Sequence, residues 1–191
     1  MDADEKFGKA LRRYLSELQR VLYYRRAWGA LKSTDRLTSG LDVFELMDRA
    51  FFDQMVAHAI KVFDRSRRVA SFWYLLRQQT AEIEQFCRTR ACTLHCIEVL
   101  SAKLKIIRNK THFHIDGDCV SDPKGVWTDA GVVWNEFDQA TQRAFEILQH
   151  LYTAHHGQGF EFPSYDGSDV ADLIRLAEHN GLSVAWADRF C

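Results

Sequence analysis

Few residues in this 191-residue chain can interrupt a helix: ten glycines and two prolines, set against 47% hydrophobic residues. So little punctuation disfavours a many-turned β protein and favours long helices. The apolar residues are spaced to match. Leu11, Tyr14/Leu15, Leu18, Val21/Leu22 and Trp28 recur at three- and four-residue steps, with Arg12, Arg13, Glu17 and Arg20 between them. This pattern predicts a first amphipathic helix ending near Lys32-Ser33-Thr34. Phe44, Met47, Phe51, Met55, Ala59 and Val62 predict a second helix from Leu41 to about Phe63, entered through Thr38-Ser39-Gly40, where Thr or Ser can cap. A brief helix started by Ser71 would carry Phe72-Trp73-Tyr74-Leu75-Leu76 into the core.

A third long run, from about Thr80 to Lys110, carries Ile83, Phe86/Cys87, Leu94, Ile97, Leu100, Leu104 and Ile107. Gly117, Pro123 and Gly125 then break the pattern across a loop of roughly 15 residues. Helical spacing resumes at Val132/Val133 and runs through Phe137, Ala140, Ala144, Ile147/Leu148 and Leu151 to Tyr152. Four long amphipathic segments make an all-α, up-and-down helical bundle over residues 1–156. Residues 157–191 are expected to form a small C-terminal extension packing on that bundle. In it a loop, Gly157 to Gly167, precedes a short extra helix capped by Ser168, carrying Val170, Leu173, Ile174 and Ala177 and stopped by Asn180-Gly181.

The formal net charge is −1, so no global field advertises a polyanion partner and any such site must be local. The N-terminus, Met-Asp-Ala-Asp-Glu-Lys, is acidic and polar, and no apolar run reaches the roughly 18 to 20 residues of a membrane span. A cytoplasmic protein with no membrane partner is expected. Cys87, Cys92, Cys96, Cys119 and Cys191 are an odd number without a secretory signal, which argues against a disulfide framework. Cys92, His95 and Cys96 share a helix face, yet no second Cys/His pair stands at finger-like spacing, so the cysteines read as small buried hydrophobes. Asp116, Asp118 and Asp122 hint at a calcium loop, but Ser121 replaces its glycine and Trp127 its final glutamate. His112, His114, Asp116 and Asp118 offer four potential ligands for a transition metal on one stretch, but no metal and no cofactor is expected.

The stretch Ile107-Arg108-Asn109-Lys110-Thr111-His112-Phe113-His114-Ile115-Asp116 carries the most chemistry. An arginine presents a fixed cationic fork to a phosphate, and a histidine can take and give a proton near neutral pH; that pair can cut RNA without a metal. Arg108 falls four residues after Leu104 and eleven after Ile97, nearly in line with the apolar stripe. There it must line a cleft, sit at a subunit interface or snorkel out at the helix end. His112 follows one turn later on the same side, whereas His114 points away on a regular helix. Arg108 and His114 converge only if the backbone ends or kinks near Thr111-His112. The competing explanation is that Arg108, Lys110 and His112 merely offset the carbonyl end of a helix. Arg65, Arg67 and Arg68 form the most compact basic run, either a solvated turn or a guide for a substrate backbone. His155-His156 reads as a helix-terminus pair.

Ile107-Arg108-Asn109-Lys110-x-x-x-His114-x-Asp116, closing a long helical run, resembles the Arg-x(4–6)-His signature of HEPN domains. The upstream stretch from Ala59-Ile60-Lys61-Val62-Phe63-Asp64 through Arg65-Ser66-Arg67-Arg68 to Leu75-Leu76 resembles a segment of abortive-infection U-type HEPN proteins. The resemblance spans roughly residues 10 to 155 and leaves out the tail from Gly157. It implies a helical bundle that forms a homodimer, with the motifs of two subunits facing each other across a cleft. It further implies a metal-independent endoribonuclease of toxin–antitoxin or phage-defence systems, acting on RNA and in some cases held by an antitoxin protein. Inactive members that bind nucleotide, RNA or a partner protein are the alternative. On this resemblance Arg108 stabilises phosphoryl charge, His114 is the general acid or base, and Asn109 orients the phosphate or His114. Lys110, His112, Phe113, Asp116, Arg65, Arg67 and Arg68 are expected to contact substrate. Phe113 stands where the family often has a small residue, and it would narrow the cleft or stack on a base.

Overall fold

A computed structural model describes residues 2–32, 42–66, 69–112 and 123–179. Among them the protein is all-α, with eight helices and no strand. These are α1 (Ala3–Lys32), α2 (Asp42–Phe63), α3 (Phe72–Gln78), α4 (Thr80–Thr89), α5 (His95–Ile107), α6 (Pro123–Ala130), α7 (Trp134–His156) and α8 (Ser168–His179), with a π-helical turn, Arg108–His112, directly after α5. None of these helices is long and apolar enough to cross a membrane.

The helical spacing of apolar residues placed α1, α2 and α7 close to their observed bounds. The expected single helix from Thr80 to Lys110 is instead two. After α4 the chain turns through Ala91 at φ +48°. Cys92 N–H donates to the Cys87 carbonyl at 2.9 Å, and Ala91 N–H donates to that of Arg88 at 3.3 Å. This is the paired-bond helix stop usually built on glycine at its left-handed position. With alanine there, the sequence carries no visible break. The expected loop likewise contains a helix, α6, opened by Pro123; proline suits a first helical position because its missing N–H would have no partner there. Ser71 does precede α3, but its backbone carbonyl receives the first bonds, from Tyr74 and Leu75. Its hydroxyl does not cap: Oγ is buried without a partner among the described residues. The predicted caps at Thr38-Ser39-Gly40 and the stop at Asn180-Gly181 lie outside the described residues.

The chain groups into two compact units: Met1–Gln19 with Ala57–Glu161, and Arg20–Val56 with Phe162–Cys191. The division cuts within α1 and within α2 and groups α8 with the C-terminal part of α1 and the N-terminal part of α2. In the first unit α5 packs against α7 and α6, α4 against α7, and α3 against α4. Its buried side chains include Leu11, Leu15, Phe63, Phe72, Ile97, Leu100 and Phe137, the large residues of each apolar stripe. In the second unit Ala27, Leu31, Phe44, Val170 and Ile174 form a separate core. Gly167 at φ +83° enters α8 there; a Cβ at this position would lie 3.0 Å from the Arg26 carbonyl oxygen.

Candidate functional site

Arg108 follows a stripe in which Ile97, Leu100, Leu104 and Ile107 are all buried. Continuing that helix would drive its charge toward the core, at a cost no exposed site imposes. The backbone instead widens into the π turn Arg108–His112, a feature that often marks functional positions in helices. The regular α-helix is thus left at Arg108, ahead of the Thr111-His112 position expected from sequence, and His114 lies outside the described residues.

The guanidinium is held from two directions. Its Nη1 donates to Asp64 Oδ2 at 2.6 Å, and its Nε donates to Asn109 Oδ1 at 3.1 Å. Asp64 stands just past the end of α2, where its other oxygen, Oδ1, accepts the Ser66 backbone N–H at 2.9 Å. With both oxygens engaged, the carboxylate is fixed and fixes the arginine in turn. The pair is largely sheltered, with side-chain exposures of 27% for Arg108 and 14% for Asp64. Of the five guanidinium N–H donors, three remain without a partner among the described residues.

A cleft of about 300 Å³ opens beside this pair, lined by Arg13, Tyr14 and Glu17 of α1, Ile60 and Lys61 of α2, and Asp64, Val69 and Arg108. Glu17 is its buried anchor, 2% exposed. It bonds His58 Nδ1 at 2.5 Å and Arg13 Nε at 3.1 Å, with Lys61 Nζ at 3.7 Å. Burial raises the Glu17 carboxyl pKa, but the His58 bond and the charges of Lys61, His58 and Arg13 outweigh it and hold the group below its ordinary value. Sequence reading put Glu17 on the charged face and passed over His58. The signal was present. Glu17 is three residues after Tyr14 and four before Val21, and His58 is three after Met55 and four before Val62, so both occupy stripe positions.

Other expected site residues distribute unevenly. Arg65 does not point freely from a solvated turn: its guanidinium lies 4.6 Å from the Trp73 ring centroid, and with Lys105 it borders a narrow crevice shared with Arg108. Trp73 is itself pinned, Nε1 donating to Phe63 O at 3.1 Å and Ser101 Oγ at 3.0 Å. Asn109 is exposed and Lys110 half-buried. The backbone of His112 closes the π turn. Phe113, His114, Asp116, Arg67 and Arg68 lie outside the described residues, as do Asp118, Ser121 and Asp122.

Among the described residues no group of three His, Cys, Asp or Glu side chains is placed to hold a metal ion. Cys87, Cys92 and Cys96 are free. Burial and the adjacent Cys92 thiol push the Cys87 thiol up to about 11, which keeps it protonated and a poor ligand or nucleophile. Comparison with protein-family models, with curated proteins and with solved structures finds no match for this chain.

Proposed function

We propose that this protein is a metal-independent endoribonuclease of the HEPN kind, a toxin–antitoxin or phage-defence enzyme working in the cytoplasm as a homodimer. The observation that carries the proposal is the π turn at Arg108, whose guanidinium is fixed by Asp64 and Asn109 while keeping three N–H donors for a phosphate. In the reaction, the RNA 2′-hydroxyl attacks the adjacent phosphorus, the P–O5′ bond breaks, and a 2′,3′-cyclic phosphate and a 5′-hydroxyl result. The nucleophile belongs to the substrate. The protein therefore needs only to move one proton off O2′ and one onto O5′ and to stabilise the extra negative charge. Arg108 serves the charge, and His114 transfers a proton.

The Arg108–Asp64 ion pair favours a second reading. A guanidinium already neutralised by a sheltered carboxylate suits a silent module that binds nucleotide, RNA or a partner protein. Cleavage of end-labelled RNA in excess EDTA separates the two. An active enzyme yields cyclic-phosphate ends, and Arg108→Ala and His114→Ala each lower the rate by about 10²-fold or more, the usual worth of such groups, while circular dichroism stays unchanged. Arg108→Lys does not restore the rate, because an ammonium lacks the planar fork. Wild-type protein that cuts no RNA under any condition favours the binding module over the enzyme. Loss of activity in His112→Ala with an active His114→Ala shows that the motif belongs in the other register.

A further inference from the structure

The cleft beside Arg108 has the chemistry of a nucleotide at both ends. Three cations, Arg13, Lys61 and Arg108, line it against two carboxylates, Glu17 and Asp64. The Arg13 and Lys61 side chains remain 69% and 49% exposed despite their contacts with Glu17, so both ends can meet a ligand in solvent. Tyr14, Ile60 and Val69 supply an apolar wall. Tyr14 is only 9% exposed, and its hydroxyl has no hydrogen-bond partner among the described residues. That hydroxyl is not among the buried unpartnered atoms, so it reaches the solvent of the cleft, where a ligand can accept from it. Burial, together with the Glu17 and Asp64 carboxylates, raises its pKa, so it is a neutral donor. The volume, about 300 Å³, sits at the lower end of ligand sites and suits one nucleotide better than a folded partner's surface.

We propose that this cleft is a nucleotide subsite for bound single-stranded RNA: Arg13 and Lys61 take the phosphate next to the one at Arg108, and the nucleoside lies against Tyr14, Ile60 and Val69. The subsite rests on the ribonuclease reading for the identity of the strand, and on the cleft alone for its residues. Binding contributes positioning here, holding the strand so that the neighbouring phosphodiester stays at Arg108.

The test is fluorescence anisotropy of the full chain with a labelled 2′-O-methyl RNA oligonucleotide, which binds as RNA but cannot undergo 2′-hydroxyl attack. Arg13→Ala and Lys61→Ala are each expected to weaken binding about 3- to 10-fold and to flatten the dependence of log affinity on log salt by about 0.7, one phosphate contact on a single strand. Tyr14→Phe weakens binding without changing the salt slope, and Lys9→Ala, outside the cleft, leaves both unchanged. Arg13→Lys and Lys61→Arg, which keep the charge beside Glu17, retain the wild-type slope and guard against loss through misfolding. Wild-type affinity and slope in the Arg13→Ala, Lys61→Ala and Tyr14→Phe proteins overturn the subsite, even if ordinary RNA is cut at Arg108. Loss of binding in those variants, with ordinary RNA left uncut by wild type, supports the subsite and removes the ribonuclease. No binding of the oligonucleotide by wild type overturns the subsite.

Discussion

Asp64 grips Arg108 with one carboxylate oxygen while a backbone amide grips the other, so the carboxylate is a fixed point from which the arginine is aimed. This makes Asp64 a positioning residue for the proposed reaction. Misplacement of a catalytic group by about 1 Å is worth about 10²-fold in rate. Asp64→Ala is accordingly expected to lower kcat by about that factor with a smaller change in KM, and Asp64→Asn, which can still accept a hydrogen bond, to recover part of it; equal rates for the two would assign Asp64 a charge role alone. Glu17 is a different kind of residue. Its carboxyl titrates lower in the folded state than in the unfolded chain, where about 4.3 is usual. The resulting stability is fully present above the unfolded value and is lost as pH falls through the folded one. Glu17→Gln should therefore lower stability at pH 7 by roughly 2 kcal/mol, the scale of a hydrogen bond to a charged group. Urea titrations between neutral pH and pH 3 should find the variant losing less stability on acidification than wild type.

At the scale of elements, two backbone positions decide where helices stop and start. Ala91 occupies the left-handed position closing α4, where a side chain costs about 1 to 2 kcal/mol relative to glycine before the entropy of the unfolded chain is counted. Ala91→Gly is expected to stabilise the protein by about 0.5 to 1 kcal/mol, read as a higher urea midpoint with an unchanged m-value. Gly167 is the converse. Its φ of +83° and the 3.0 Å approach of the Arg26 carbonyl leave no room for a side chain. Gly167→Ala should destabilise by more than about 1 kcal/mol, and a neutral result in the same denaturation assay would show that the entry to α8 yields easily. Both effects are independent of the chemistry at Arg108.

For the whole molecule, the proposed active site requires two copies of the motif. Light scattering at micromolar concentration should give twice the mass of the chain, and a specific interface should exceed about 1,000 Å². A monomer at that concentration, with RNA still cleaved, would mean that one Arg108 and one His114 suffice. The π turn and the fixed arginine would then belong to a self-contained site.

The sequence alone determined the class of fold and the rough course of α1, α2, α3 and α7, because burying an apolar stripe at helical spacing needs no knowledge of the neighbour that covers it. It also singled out Arg108, since a charge in line with Ile97 and Leu104 has to be resolved somehow. Local signals failed where the stop was made by an alanine, as at Ala91, or where a proline began a helix rather than ending one, as at Pro123. Only the tertiary structure decided which carboxylate met which cation. Glu17 and His58 lie 41 residues apart, and Asp64 and Arg108 lie 44 apart. Polar side chains on stripe positions are tolerable in the interior only when distant partners satisfy them, and the identity of those partners is set by how the helices pack, which no local spacing encodes.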